Sequence, residues 1–170
     1  MEIRTIRPDE WRELRELRLR ALADAPDAFG VTYDQELAAA DQAWQDRASR
    51  PDRKMFVAVD DHGRFVAMGS GGPAPDAPEY AAIYGMWVDP AARGQRIGER
   101  IIRNIADWAR TAGYAAIGLG VTVGNGPAIA LYERLGFRDL GIRHPLREGT
   151  DLEIQLMGTT LDQLEAYFES

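Results

Sequence analysis

The stretch Met86–Ile102, MWVDPAARGQRIGERII, carries the chain from a strand through a turn into a helix. Its apolar start closes a run from Tyr80 to Val88, and Asp89-Pro90 ends that run because proline has no N–H to give a sheet ladder. Beyond Gln95 the period changes. Ile97, Ile101, Ile105, Trp108 and Ala112 recur at helical spacing and form one apolar face, with Gly113 placed to end the helix. Gly94 and Gly98 keep side chains off the turn between strand and helix. Backbone N–H groups from Gly94 to Gly98 lack intrahelical acceptors and have the helix dipole behind them, which makes a seat for phosphate. Arg93 and Arg96 add positive charge at that mouth, and a pyrophosphate is the matching guest. A surface turn whose glycines only make the bend would read the same way. No Gly-Lys-Ser/Thr follows, and GxGxxG is not present, so neither common nucleotide loop applies.

Working outward, Ile3 to Arg7 reads as a first strand, and Pro8-Asp9-Glu10 starts a helix with Trp11, Leu14, Leu17, Ala21 and Leu22 on its inner face. A second helix is expected over Asp34 to Ser49, with Leu37, Ala40 and Trp44 inward. Met55–Val59 and Phe65–Met68 flank Asp60-Asp61-His62-Gly63 as a β-hairpin. Gly69–Pro78, rich in Gly and Pro, reads as a strand end followed by a loop. After the Ile97–Ala112 helix come a strand over Ala115–Val123, a short helix around Ala128–Leu135, strands over Phe137–Arg143 and Leu152–Met157, and a terminal helix over Leu161–Phe168. The unit from Tyr80 to Val123 is β-α-β, so its strands, the fourth and fifth, should be parallel and the hairpins on either side antiparallel. The expected class is a mixed α/β single domain over residues 1–170, a mostly antiparallel seven-stranded sheet with helices on both faces.

Composition narrows the chemistry. With 170 residues the chain can bury a core without staples. It has no cysteine and only His62 and His144, so thiolate chemistry is excluded and no metal is expected. A net charge of −7, from 20 Lys+Arg against 27 Asp+Glu, argues against nucleic acid as a partner. No apolar run reaches the ~20 residues of a membrane span. No signal segment is visible at MEIRTIRPDEW, so a cytoplasmic location and no membrane partner are the expectations.

A second informative string is NGPAIALYERLGF, Asn125–Phe137. Asn125 is a natural N-cap, Pro127 lies in the first turn, and Gly136 is a natural C-cap. Ala128 and Tyr132 stand four apart on one face. By itself Tyr132 on an apolar helix face is also a good core aromatic.

The two strings together resemble the GNAT superfamily of N-acetyltransferases. VDPAARGQRIG resembles its pyrophosphate loop, V-x-P-x-x-R-G-x-G-x-G/A, with Arg96 where the central glycine is usual. Asn125–Phe137 resembles its second signature, N-x-x-A-x-x-L-Y-x-x-x-G-F, at every fixed position. The resemblance implies a GNAT fold whose fourth and fifth strands splay apart, and acetyl-CoA as co-substrate. It implies cofactor contacts along Met86, Trp87 and Val88, through Arg93, Gly94, Gln95, Arg96, Ile97, Gly98 and Glu99, and from Asn125, Ala128 and Tyr132. It also implies that Tyr132 faces the sulfur as general acid and that a backbone N–H of Trp87 or Val88 polarises the thioester. Arg96 can still present its N–H if its dihedrals are ordinary helical ones. The implied reaction is direct acetyl transfer to a primary amine of a small molecule or peptide. A longer acyl-CoA, or a CoA-binding sensor without catalysis, fits the same residues. Homodimers are common among proteins of this kind and are an expectation here.

The acceptor side is expected between the Phe29–Trp44 region and the Arg143–Thr150 loop, with Phe29, Tyr33, Glu36 and Tyr84 as candidate contacts and Trp44 and Trp87 as further walls. The base that deprotonates the amine, whose pKa is ~10 in water, is left open among Glu36, Glu79, Tyr84 and Asp89. His144 reads as a loop residue.

Overall fold

The structure is a computed structural model describing residues 1–170. Its seven strands are β1 (Glu2–Thr5), β2 (Lys54–Val59), β3 (Phe65–Ala74), β4 (Ala77–Val88), β5 (Ala116–Thr122), β6 (Arg138–Pro145) and β7 (Glu153–Thr160). The helices are α1 (Trp11–Asp24), α2 (Tyr33–Leu37), α3 (Asp41–Ala48), α4 (Ile97–Thr111), α5 (Gly126–Arg134) and α6 (Leu161–Glu169). The sheet order is β1-β2-β3-β4-β5-β7-β6. Every neighbouring pair is antiparallel except β4–β5, which the α4 crossover makes parallel.

Period-two alternation in β2 divides the core. Phe56 and Ala58 join the cluster under α4 with Ile97, Ile101 and Ile105, while Val57 and Val59 join Leu17, Ala21 and Leu22 of α1. Ile101, Ile102 and Ile105 have no exposed surface, and burying each such side chain is worth roughly 1.5–3 kcal/mol. That packing fixes the start of α4 against the sheet.

Two expectations from the sequence need correction. Gly69–Pro78 is not a strand end and loop: β3 runs on to Ala74, and only Pro75-Asp76 forms the turn into β4. The glycines serve packing. A β-carbon on Gly71 would stand 2.6 Å from the Trp108 ring, so its absence lets α4 lie close on β3. The single helix expected over Asp34–Ser49 is two. Thr32 caps α2 in a capping box with Gln35, and the chain breaks across Ala38-Ala39-Ala40, all good helix formers. Burial of Trp44 beside Trp11 and Leu14 sets the direction of α3 independently of α2.

Two irregularities shape β4. Its register with β3 shifts between Met68↔Trp87 and Ser70↔Tyr84, a bulge that places Gly85 at φ +62°. Its pairing with β5 then covers only Ala81↔Ile117, Ala82↔Gly118 and Ile83↔Leu119. Past Ile83 the two strands part, although β4 continues to Val88 and β5 to Thr122.

Candidate active site

At the mouth of this parting lies the turn into α4. The chain enters it through two left-handed residues, Gly94 at φ +83° and Arg96 at φ 56°, ψ 26°. Arg96 therefore does not have the helical dihedrals that the sequence reading asked of it. Holding a residue with a β-carbon there costs roughly 1–2 kcal/mol, which is the physical reason a glycine suits the position. The N–H groups of Gly94, Gln95, Arg96, Ile97, Gly98 and Glu99 have no acceptor within the chain. The first bond back into the turn is Arg100 N–H to the Arg96 carbonyl at 3.1 Å, and no side chain caps the helix. Donors left open in this way at a helix start attract an oxyanion.

The charges around the turn differ from expectation. Arg93 is not free to face the mouth, because its Nη2 donates to Asp24 at 2.8 Å and its Nε to the Val88 carbonyl at 3.0 Å. Arg96 is exposed, with its Nε 3.8 Å from Glu99. The Glu99 carboxylate is buried and points to α5 and α6, accepting from Arg134 at 2.6 Å and from the Tyr167 hydroxyl at 3.5 Å. Only the backbone of Glu99 serves the turn.

β4 alternates as it passes this mouth. Met86 and Val88 pack on the α4 side, and both lie within ordinary contact of the point where a β-carbon on Gly98 would stand, as does Leu131 of α5. Turn, strand edge and α5 meet there. Trp87 faces the other way into the α1 core, and its indole N–H donates to Asp24 at 2.9 Å. Its side chain is not a wall of the acceptor cleft, as the sequence reading allowed.

α5 follows β5 directly. Asn125 Oδ1 accepts the Ala128 N–H at 3.4 Å and starts the helix, so this asparagine is committed as a cap. Tyr132 is buried one turn beyond Ala128, in edge-to-face contact with Phe137 at 5.8 Å. Burial alone pushes its phenol up to about 12, so it remains a neutral proton donor at any physiological pH.

On the opposite face of the sheet is a cavity of about 1210 Å³. Phe29, Glu36, Trp44 and Tyr84 line it, as do Ile83 and Gly85 of β4 and Ile117 to Gly120 of β5. It thus reaches both strands where they part. Neither Tyr132 nor the Gly94–Gly98 turn is in its wall, and the parting strands β4 and β5 lie between the cavity and that turn. Leu146 of the segment before β7 completes the wall, and Arg147 ties that segment to the Phe29 carbonyl at 2.9 Å. Tyr33 is not part of it. As the first residue of α2 it lies on the outer surface beside Arg12 and Arg15, while the inward residue of that helix is Glu36.

The open question of the base is narrowed by the same geometry. Asp89 is held by Arg20 at 2.6 Å, Arg64 at 3.6 Å and the Ala91 N–H, a structural carboxylate that closes the strand end. Glu79 and His144 are exposed and outside the cavity wall, with His144 inside β6 rather than in a loop. The Tyr84 hydroxyl donates to the Pro73 carbonyl at 2.6 Å. Glu36, ion-paired with Arg47, is the one carboxylate among the lining residues. Sequence reasoning missed Arg18 and Arg53, which line the same cavity. The signal for Arg18 was its place four residues after Leu14, a charge on the inward side of α1.

A family model for the acetyltransferase (GNAT) family matches residues 9–137. The chain belongs to the GNAT acetyltransferase family. It is 38% identical over 100 residues to a streptothricin acetyltransferase of Streptomyces lavendulae, covering 52% of this chain and 51% of that protein. It is 35% identical over 71 residues to a ribosomal protein bS18-alanine N-acetyltransferase of Escherichia coli K12, covering 42% of this chain and 48% of the relative. The chain spans about half the length of these two relatives. In three dimensions it is similar to yncA of Salmonella typhimurium, solved with acetyl-CoA. That match has a TM-score of 0.72 at 22% identity and covers 95% of this chain and 94% of the other, so the GNAT fold extends well beyond the family-model match. No helix is long and apolar enough to cross a membrane, and no group of three or more His, Cys, Asp or Glu is placed to hold a metal ion.

Proposed function

We propose that this chain is an acetyl-CoA-dependent N-acetyltransferase acting on a primary amine. The observation that carries the reading is the run of acceptor-free N–H groups from Gly94 to Glu99, set beside the open edge of β4. That run complements the pyrophosphate of CoA. The unpaired edge of β4 from Tyr84 to Val88 complements the amides of a pantetheine arm, which would lie along it like an added strand. The family match, the streptothricin and ribosomal-alanine acetyltransferases among the relatives, and a fold neighbour solved with acetyl-CoA support the same reading.

In this reading the amine reaches the parting of β4 and β5 from the cavity, loses a proton, and its lone pair attacks the thioester carbonyl carbon. The C–N bond forms and the C–S bond breaks. The departing sulfur takes a proton or hydrogen bond from Tyr132, the nitrogen gives up its remaining extra proton to complete the thiol or restore the phenol, and the products are an amide, CoA thiol and the proton first lost by the amine. A backbone N–H of Trp87 or Val88 stabilises the oxygen while it carries charge. Glu36 is the cavity carboxylate available to take the amine's proton.

The test combines calorimetry of CoA with release of CoA thiol across a panel of amines. Binding of CoA, and its loss on replacing Gly94 and Gly98 by valine, is the expected result. Absence of CoA binding by the wild-type protein would overturn the proposal.

A further inference from the structure

The cavity wall has a charge opposite to that of the whole molecule. The chain carries a net charge of −7, yet the cavity is lined by Arg18, Arg47, Arg50, Arg53 and Lys54 against Glu36 alone. Some of these cations are matched: Arg47 pairs with Glu36, and Arg50 pairs with Asp52 at 2.6 Å. Lys54 is exposed to water. Arg18 and Arg53 are neither. Both are half-buried and neither guanidinium makes an ion pair within the chain, Arg53 having the Tyr84 side chain as its partner.

Their positions are specific. Arg18 leaves α1, lies over the Phe29 ring with 4.9 Å to its centroid, and places Nη1 3.0 Å from where a β-carbon on Gly85 would stand. It therefore occupies the bulge of β4, two residues beyond Ile83, the last residue paired with β5 before the strands part. Arg53 covers the Tyr84 ring at 3.7 Å, one residue from that bulge. Burial disfavours both cations; Glu36 offsets part of this for Arg18, and Tyr84 and Asp52 part of it for Arg53, while neighbouring arginines, Arg47 and Arg53 for Arg18 and Arg50 for Arg53, work against them. A guanidinium has five N–H donors in a planar fork, and partial burial without a carboxylate partner leaves them fewer and weaker hydrogen bonds than open water supplies. An oxyanion restores those bonds and separates the like charges.

On the reading that the chain is an N-acetyltransferase, we propose that its acceptor is an amine carrying a carboxylate within a few bonds of the nitrogen, held by Arg18 with Arg53 as a second contact. The amine has to arrive where β4 and β5 part, and Arg18 stands at that place, so a short amino acid spans the two. A polycationic acceptor meets unpaired positive charge there and is disfavoured.

The experiment uses matched pairs, each amino acid against its own carboxamide, at constant ionic strength. Thiol release gives kcat/KM, and calorimetry of the same pairs on the protein with CoA gives binding independent of turnover. We expect the acids to exceed the amides by roughly 30-fold or more, as for a charge pair formed out of water. Arg18→Met should bring the two within a few-fold of each other by losing on the acids alone, and Arg18→Lys should recover part of the loss. CoA affinity, unchanged in each variant, verifies that they fold. Equal use or equal binding of acids and amides by the wild type, no binding of either, or the same loss on both in Arg18→Met overturns the inference. Transfer to uncharged or cationic amines only would sink it while leaving the acetyltransferase reading intact, whereas failure to bind CoA would remove that reading itself.

Discussion

At the scale of single residues, the two most informative positions are Tyr132 and Arg96. Tyr132 is a phenol with one task in the proposed reaction, and burial raises its pKa to about 12. A general acid must be protonated to act. Because the raised value keeps Tyr132 neutral through pH 7 to 10, turnover should climb over that range as the amine deprotonates, without a descending limb from the tyrosine. Tyr132→Phe should slow turnover about 10- to 1000-fold and leave CoA affinity within a few-fold, measured by thiol release and calorimetry. A rate equal to wild type would take Tyr132 out of the chemistry. Arg96 has a left-handed backbone at φ 56°. Arg96→Gly should relieve that conformation and be neutral to stabilising by up to about 1 kcal/mol, the gain being offset by glycine's greater freedom in the unfolded chain. Arg96→Val, branched at the β-carbon, should destabilise by about 1–3 kcal/mol in urea unfolding.

At the scale of elements, α4 and the glycines of β3 form one unit. Gly71→Ala would push a methyl group into the Trp108 ring and Ile105, both packed on the sheet, and should cost about 1–3 kcal/mol in denaturant unfolding. This pairing also shows where sequence was legible and where it was not. The stripe of Ile97, Ile101, Ile105 and Trp108 announces a helix because its period is a local property of the chain. Gly69–Ala74 looks like a loop because composition reports local freedom, and the reason for those glycines is a helix that begins more than twenty residues later. The Ala38-Ala39-Ala40 break is hidden in the same way, since nothing local opposes a continuous helix and only the burial of Trp44 decides it. For the site, Gly94, Gly98, Asn125 and Tyr132 were readable as motifs on two short strings. The charges were not. Asp24 takes Arg93, and Arg134 with Tyr167 takes Glu99, through contacts between elements remote in sequence. Tyr33 and Glu36 stand three residues apart near the ends of one short helix, and only the tertiary placement of α2 says which turns inward.

At the scale of the whole molecule, the sheet is one ladder with a weak seam. On one side stand β1 to β4 with α1 to α4, and on the other β5 to β7 with α5 and α6. Side-chain ties cross it: Thr122 to the Asp27 carbonyl at 2.6 Å, Arg147 to the Phe29 carbonyl, and Glu99 to Arg134. Between β4 and β5 the backbone itself supplies only the register from Ala81 to Ile83. Hydrogen–deuterium exchange gives that gap a measurable meaning. Amides of Tyr84–Val88 that point toward β5 have no ladder to protect them, and those of Gly94–Glu99 have no acceptor at all, so both peptides should take up isotope rapidly. Adding CoA should slow uptake in these two segments while β1 and β2 remain as they were. A guest that substitutes for the missing stretch of strand would then act as a rivet between the two halves, and the free protein would be expected to breathe along this line first.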